Sequence, residues 1–198
     1  MTVPDRIEAA RLVRSLEPPE WLLRHSRAVA EVAAFLALRT AERGGHIDRH
    51  VAETAAFLHD ADKALPPGDP LRAEGHGHGS ARWLEGRGYA ELASAVEDHP
   101  VTRLRDGDWF ETWLKGSRAE DRIVAYADKR AQQRLVSLDQ RFRTWRRRHP
   151  VKWDDAAVRE VRRRADRLEQ SVCEAAGIRP DQVRRLPWTS AALRAATA

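Results

Sequence analysis

A single cysteine, Cys173, excludes an internal disulfide and a thiolate metal cluster, so any metal would have to be held by histidine and carboxylate. With so little cysteine the cytoplasm is the expected compartment. Long apolar runs are missing too. The most apolar stretch, from Ala28 to Leu38, is interrupted by Glu31 and too short to span a bilayer, and the opening MTVPDRIEAARLVRS carries acids without an apolar core segment. Neither a membrane anchor nor an export signal is expected. Glycine and β-branched residues are sparse, whereas alanine, leucine, arginine and glutamate dominate, a composition that favours helix over sheet. Repeats and low-complexity tracts are lacking. The expectation is an all-α protein with a helical domain over 1–140 and a basic helical extension, 141–198, packed on it.

The 35 Lys and Arg against 30 Asp and Glu leave a net charge of +5 that is unevenly distributed. From Arg141 to Arg167 there are 11 basic and 4 acidic residues, so this one segment carries the basicity and the remainder is slightly acidic. Such a segment suits nucleic acid or polyphosphate. Its apolar seam, Val158, Val161, Ala165, Leu168 and Val172, fits a packed helix with a solvated arginine face, which is the favoured reading.

Punctuation by proline and glycine divides the chain into helices. One is expected over Pro4 to Ser15 and a longer one from Glu20 to Arg43, closed by Gly44-Gly45. His25 lies in the second, and Val29, Val32 and Leu36 share its face, which turns the imidazole toward the core. Asp48 is a cap for a third helix bearing Val51, Ala55, Ala56 and Leu58, with His59-Asp60 near its end before Pro66-Pro67-Gly68. GHGHGS at 75–80 reads as a loop entering a short helix, and another helix ends near His99-Pro100. Residues 101–116 read as a loop with Trp109, Phe110 and Trp113. Ser117 and Glu120 have capping-box spacing, opening a helix in which Val124, Asp128, Ala131 and Leu135 share a face. A basic helix around Arg141–Arg148 breaks at Pro150, and a last long one covers Asp154 to Ala176 before Gly177.

His25, His59, Asp60 and Asp128 are polar groups at buried or helix-end positions, where an unpaired atom costs about 1 to 3 kcal/mol or more. A lone core histidine is usually satisfied by a backbone carbonyl, and for each residue singly that reading stands. A divalent cation explains the four together, since imidazole and carboxylate suit Mn, Fe, Ni, Zn or Mg.

The segments LLRHSRAVA, AAFLHDADK, EGHGHGSA, EDHP and VAYADKRAQQR, from Trp21 to Arg134, resemble the successive signatures of HD-superfamily metal-dependent phosphohydrolases. Within that superfamily the segments resemble those of the bacterial HD-domain enzymes that cleave diadenosine tetraphosphate symmetrically. The resemblance implies an HD-type helical bundle holding one or two divalent ions, Fe, Mn, Ni or Mg. His25, His59, Asp60 and Asp128 would hold one ion, and His76 and His99, with Asp60 as a bridge, the second. His78 competes with His76 in the glycine loop, and His76 is preferred on the HGxxxA spacing. Two features depart from that branch: Pro-Val-Thr follows His99, and the His99–Asp128 interval, rich in tryptophan, is long. Both bear on the substrate.

The implied reaction is hydrolysis of a phosphoester or phosphoanhydride bond in a nucleotide. Asp60 and Lys63 are the expected catalytic residues, and Lys63 and Arg134 are candidates to hold a substrate phosphate. Surface salt bridges are the alternative for both. Asp62 is either a supporting acid for a ligand or a plain helix-end acid. Trp109, Phe110 and Trp113 either stack on a nucleobase or fill a core. The alternative function is a non-catalytic nucleic-acid-binding or regulatory protein with a structural metal, its contact made through Arg141–Arg167. Oligomeric state is open.

Overall fold

The computed structural model describes residues 3–148 and 155–197. Asp5 starts helix α1 (Arg6–Ser15) by accepting from the backbone N–H groups of Ile7 and Glu8, both at 2.8 Å. After Pro18-Pro19 comes α2 (Glu20–Glu42), buried almost all round from Ala28 to Ala37. Its alanines let neighbouring helices approach on several sides, so α2 is the axis of the bundle. Asp48 caps α3 (Arg49–Leu58) through His50 and Val51, and a short α4 (Ala61–Ala64) follows at once.

The next elements are α5 (Pro70–Ala73), α6 (His78–Glu85), α7 (Ala90–Glu97), a 3-10 turn at Val101–Arg105, α8 (Gly107–Gly116) and α9 (Ala119–Arg130). α3 and α9 pack on α2, α7 packs on both α3 and α9, and α1 lies on α3. Val29, Val32, Leu36, Val51, Phe57, Leu58, Val124 and Ala127 from these helices meet in the core. Among the described residues there is no strand, and one isolated antiparallel bridge joins Ala131 to Leu135.

The C-terminal extension is helical, with α10 (Leu138–Arg148), α11 (Asp155–Ala176), a 3-10 turn at Pro180–Gln182 and α12 (Thr189–Ala195). α11 packs on α2 and α9 through Val161, Ala165, Leu168, Val172 and Ala176, while α12 packs on α1 and α2. Buried Glu31 of α2 ties this end down by accepting from Arg185 at 2.9 Å and Thr189 at 2.5 Å. Several arginines of the basic segment are committed locally: Arg146 to Asp155, Arg162 to Asp139 and Asp166, Arg163 to Glu160, and Arg167 to Glu111. The break expected at Pro150, and the start expected at Asp154, lie outside the described residues.

The structure departs from the sequence expectations in several places, and the stretch 75–80 is one of them, since α6 already begins at His78. Residues 101–116 are not a loop: a 3-10 turn leads into α8, whose first turn is capped by Asp106 accepting from Trp109 N–H at 3.0 Å. The capping acid of α9 is Asp121, which accepts from Arg118 N–H at 3.0 Å, because Glu120 is drawn away to the N–H of Asp48. α9 stops at Arg130, so Ala131 and Leu135 leave the helix and pair in the isolated bridge. His59-Asp60 forms a joint between α3 and α4 rather than the end of one continuous helix.

Candidate metal centre

Five segments bring the chemistry together. α2 supplies His25, the α3–α4 joint His59 and Asp60, the loop before α6 His76, the turn after α7 His99, and the last turn of α9 Asp128. His25, His59, Asp60, His99 and Asp128 are all buried, and His76 is 37% exposed at its side chain.

A hydrogen bond orients each imidazole. Nδ1 of His25 donates to Gln132 O at 2.6 Å, that of His59 to Ala56 O at 2.8 Å and that of His99 to Val96 O at 2.5 Å. A carbonyl only accepts, so Nδ1 carries the hydrogen and Nε2 presents its lone pair. Nδ1 of His76 lies 3.0 Å from the Asp62 carboxylate, which also accepts from Ser80 Oγ at 2.6 Å. Carboxylate-to-histidine support of this kind orients a ligand and raises its basicity. Gly77 makes the loop possible: its φ is 90°, and a Cβ there would lie 2.5 Å from Glu97 O.

The four Nε2 atoms converge in two pairs on the two oxygens of Asp60. His25 Nε2 and His59 Nε2 are 3.3 Å apart, and each is 3.4 Å from Asp60 Oδ2. Asp128 Oδ1 completes this group at 3.3 Å from His25 and 3.9 Å from His59. On the other side, His76 Nε2 and His99 Nε2 are 3.2 Å apart, and each is 3.5 Å from Asp60 Oδ1.

Donors about 2.1 Å from one ion are separated from each other by about 3.0 to 3.4 Å in ordinary coordination geometries, so the spacing suits a divalent cation. Ligand atoms of three triads, His25-His59-Asp128, His59-Asp60-His99 and Asp60-Asp62-His76, each lie within 4.8 Å of one another. Asp62 is already engaged by His76 and Ser80, which makes it the support of the third triad.

The electrostatics agree. Burial pushes the His59 imidazole down to about 3, and burial lowers His99 as well, so both stay neutral. For Asp60, burial alone would raise the carboxyl, but His59, Lys63, His99 and His25 together hold it well below the usual carboxylate range. Burial likewise opposes ionisation of Asp128, and Arg141, His25 and His59 outweigh it. Neutral imidazoles and ionised carboxylates are the forms that bind a metal. Asp60 Oδ1 is buried and accepts no hydrogen bond, though Lys63 Nζ is in ion-pair contact with it at 2.9 Å. With the lone pairs of His76 and His99 Nε2 each 3.5 Å away, this oxygen suits a cation shared among the three.

Of the other residues singled out in the sequence, Lys63 and Arg134 line a cavity of about 720 Å³ that also touches His25 and Asp60. His78 turns away from the cluster and bonds Glu97 at 2.8 Å. Trp109, Phe110 and Trp113 do not line this cavity: Trp109 stacks on Trp113, and the fully buried Phe110 packs under Arg167 of α11. Their base-stacking reading is therefore replaced by a core one.

Sequence reasoning missed Arg141, whose Nη2 lies 3.0 Å from Asp128 Oδ1, and the backbone carbonyls that set the imidazoles. It also missed Lys129, lowered to about 8 by burial, which donates to His99 O at 2.8 Å and Ala125 O at 2.9 Å. Arg141 was hidden within a run of arginines, and a carbonyl leaves no trace in a sequence. The DK pair at 128–129 was the one available signal for Lys129.

A helical bundle whose buried histidines and carboxylates can bind a divalent cation is the class that this fold and site define. Residues 22–132, more than half of the chain, match the HD domain family, and the chain belongs to that family. Most of its members are metal-dependent hydrolases. Searches of curated proteins and of solved structures give no match.

Proposed function

We propose that the protein is a metal-dependent phosphohydrolase that cleaves a phosphoester or phosphoanhydride bond of a nucleotide. The observation that carries this reading is the position of Asp60, with one carboxylate oxygen facing His25 and His59 and the other facing His76 and His99. In this reading His25, His59, Asp60 and Asp128 hold one divalent ion, and His76, His99 and Asp60 hold a second.

Bound there, the ions would supply Lewis-acid activation of water and of the phosphoryl group. The chain's own residues do the rest. Backbone carbonyls keep the imidazole Nε2 atoms aimed inward, and Asp62 does so for His76. Lys63, 37% exposed beside Asp60, offers its ammonium to a phosphoryl oxygen, and Arg134 on the same cavity offers a second cation. Burial of His25, His59, Asp60, His99 and Asp128 keeps bulk water from competing for these ligands.

Dinucleoside polyphosphates are the first compounds to try, on the strength of the motif resemblance. The test is phosphate or nucleotide release by protein loaded in turn with Mn, Fe, Ni and Mg, offered diadenosine tetraphosphate, nucleoside mono-, di- and triphosphates and cyclic nucleotides. Asp60→Ala should abolish release while the helical circular dichroism persists. No release from any substrate with any ion would end the proposal.

A further inference from the structure

α10 lies wholly outside the segment that matches the HD domain family, yet it walls the cavity over the metal centre. Arg141, Trp145 and Arg148 recur at i, i+4 and i+7, one helical face, and all three line that cavity. Trp21, just before the matched segment, lines it as well and is 49% exposed, the most exposed of the large apolar side chains among the described residues.

Two polar links hold this wall in register with the metal centre. Gln132 accepts from His25 through its backbone carbonyl at 2.6 Å and donates through its side-chain amide to Thr144 Oγ1 of α10 at 2.9 Å. Arg141 reaches across to Asp128 at 3.0 Å. The Trp145 ring is held as well, with the Arg141 guanidinium 4.5 Å from its centroid and buried Phe142 edge-on at 5.1 Å. Nε of Arg141 is buried and has no hydrogen-bond partner.

Lys63, Arg134, Arg141 and Arg148 on one cavity suit a multiply charged anion, and indole rings on the same cavity suit a flat ring. Building on the phosphohydrolase reading, we infer that α10 selects the substrate as a phosphorylated compound bearing a planar aromatic ring, with Arg141 on the phosphoryl group and Trp145 and Trp21 against the ring. The roughly 720 Å³ of space is ample for a ligand of that size. Ring recognition thus falls outside the family segment, on Trp145 of α10 and on Trp21 in the first turn of α2.

Two non-hydrolysable probes test it: the methylene phosphonate analogues of adenosine monophosphate and of ribose phosphate, titrated calorimetrically into the full manganese-loaded chain. The nucleoside probe should bind about tenfold or more tightly than the ribose probe, as base stacking on an aromatic side chain allows. Trp145→Leu and, at an exposed position less able to disturb folding, Trp21→Ala should each narrow that preference without changing the affinity for the ribose probe. Arg141→Gln should weaken both probes by the same factor.

Equal affinity of the two probes for the intact chain, no binding of either, or a preference that survives both tryptophan variants would overturn the inference. Phosphate release from the parent phosphates separates it from the reading beneath it. Ring-selective binding without release by any ion leaves the inference standing and removes the hydrolase. Equal turnover of nucleotide and ribose phosphate, with equal binding of the probes, keeps the hydrolase and removes the inference.

Discussion

The Nε2 atoms of His25 and His59 face each other at 3.3 Å although 34 residues separate them in the chain. Both rings carry their hydrogen on Nδ1, where a backbone carbonyl holds it, so two lone pairs converge beside two carboxylates. A cation bound there would stabilise that arrangement, and its consequences are measurable.

Metal should stabilise the fold. An ion that binds only the folded chain adds about 2.7 kcal/mol when present at a hundred times its dissociation constant. Adding Mn to chelator-treated protein should raise the melting temperature, and chelator should reverse the rise. A melting temperature indifferent to every divalent ion would contradict a cation site.

Acid should destabilise the metal-free protein. Folded His59 is lowered by burial to about 3 from an ordinary 6.5, so across that window the unfolded chain binds the proton that the folded chain refuses. Stability therefore falls as pH drops through that range. His99, lowered by burial as well, adds in the same direction. Asp60 and Asp128, held below their ordinary 3.8, contribute stability that is present above that value and lost at still lower pH. Urea midpoints measured from about pH 7 down to about pH 4 should decline steadily, and a flat or rising series would contradict neutral buried imidazoles.

Asp62→Ala removes the acceptor that orients His76. Loss of such a supporting carboxylate typically weakens metal affinity or activity by about 10- to 100-fold. Calorimetric titration should show the loss confined to one ion, the one beside His76 and His99, while the ion beside His25 and Asp128 binds as before. Equal weakening of both would mean that Asp62 acts on the fold rather than on His76.

Gly77→Ala and Gly88→Ala separate backbone strain from crowding. Both glycines have positive φ, 90° and 84°, but only at Gly77 would the added methyl meet neighbours, Glu97 O at 2.5 Å and Pro100 Cγ at 2.8 Å. Left-handed strain costs about 1 to 3 kcal/mol at either site. Gly77→Ala should cost more, and it should also reduce the number of ions bound, because His76 is carried on the displaced loop. If Gly88→Ala reduced ion binding equally, the loop would not be what positions His76.

The helical architecture was legible because its signals are local. Alanine-rich apolar periodicity in α2, the Asp48 cap and the Val158–Val172 seam each act within a few turns, so composition and spacing were enough to read them. α8 was misread because tryptophans and charges near a 3-10 turn obscure its period, and the Asp106 cap was overlooked. The α9 cap moved by one residue because Glu120 found a distant partner, Asp48, that no local pattern encodes.

By itself, the sequence determined which residue types were available to hold a cation: one cysteine, several histidines, and acids on apolar faces of helices. Those choices follow from side-chain chemistry and helical periodicity, both written in short stretches of chain. Only the tertiary structure decided that His76 and not His78 faces Asp60, that Asp60 stands between two histidine pairs, and that Arg141 reaches Asp128 from a helix beyond the family segment. Distances between side chains remote in sequence depend on how helices pack, and packing is a collective outcome of the whole core.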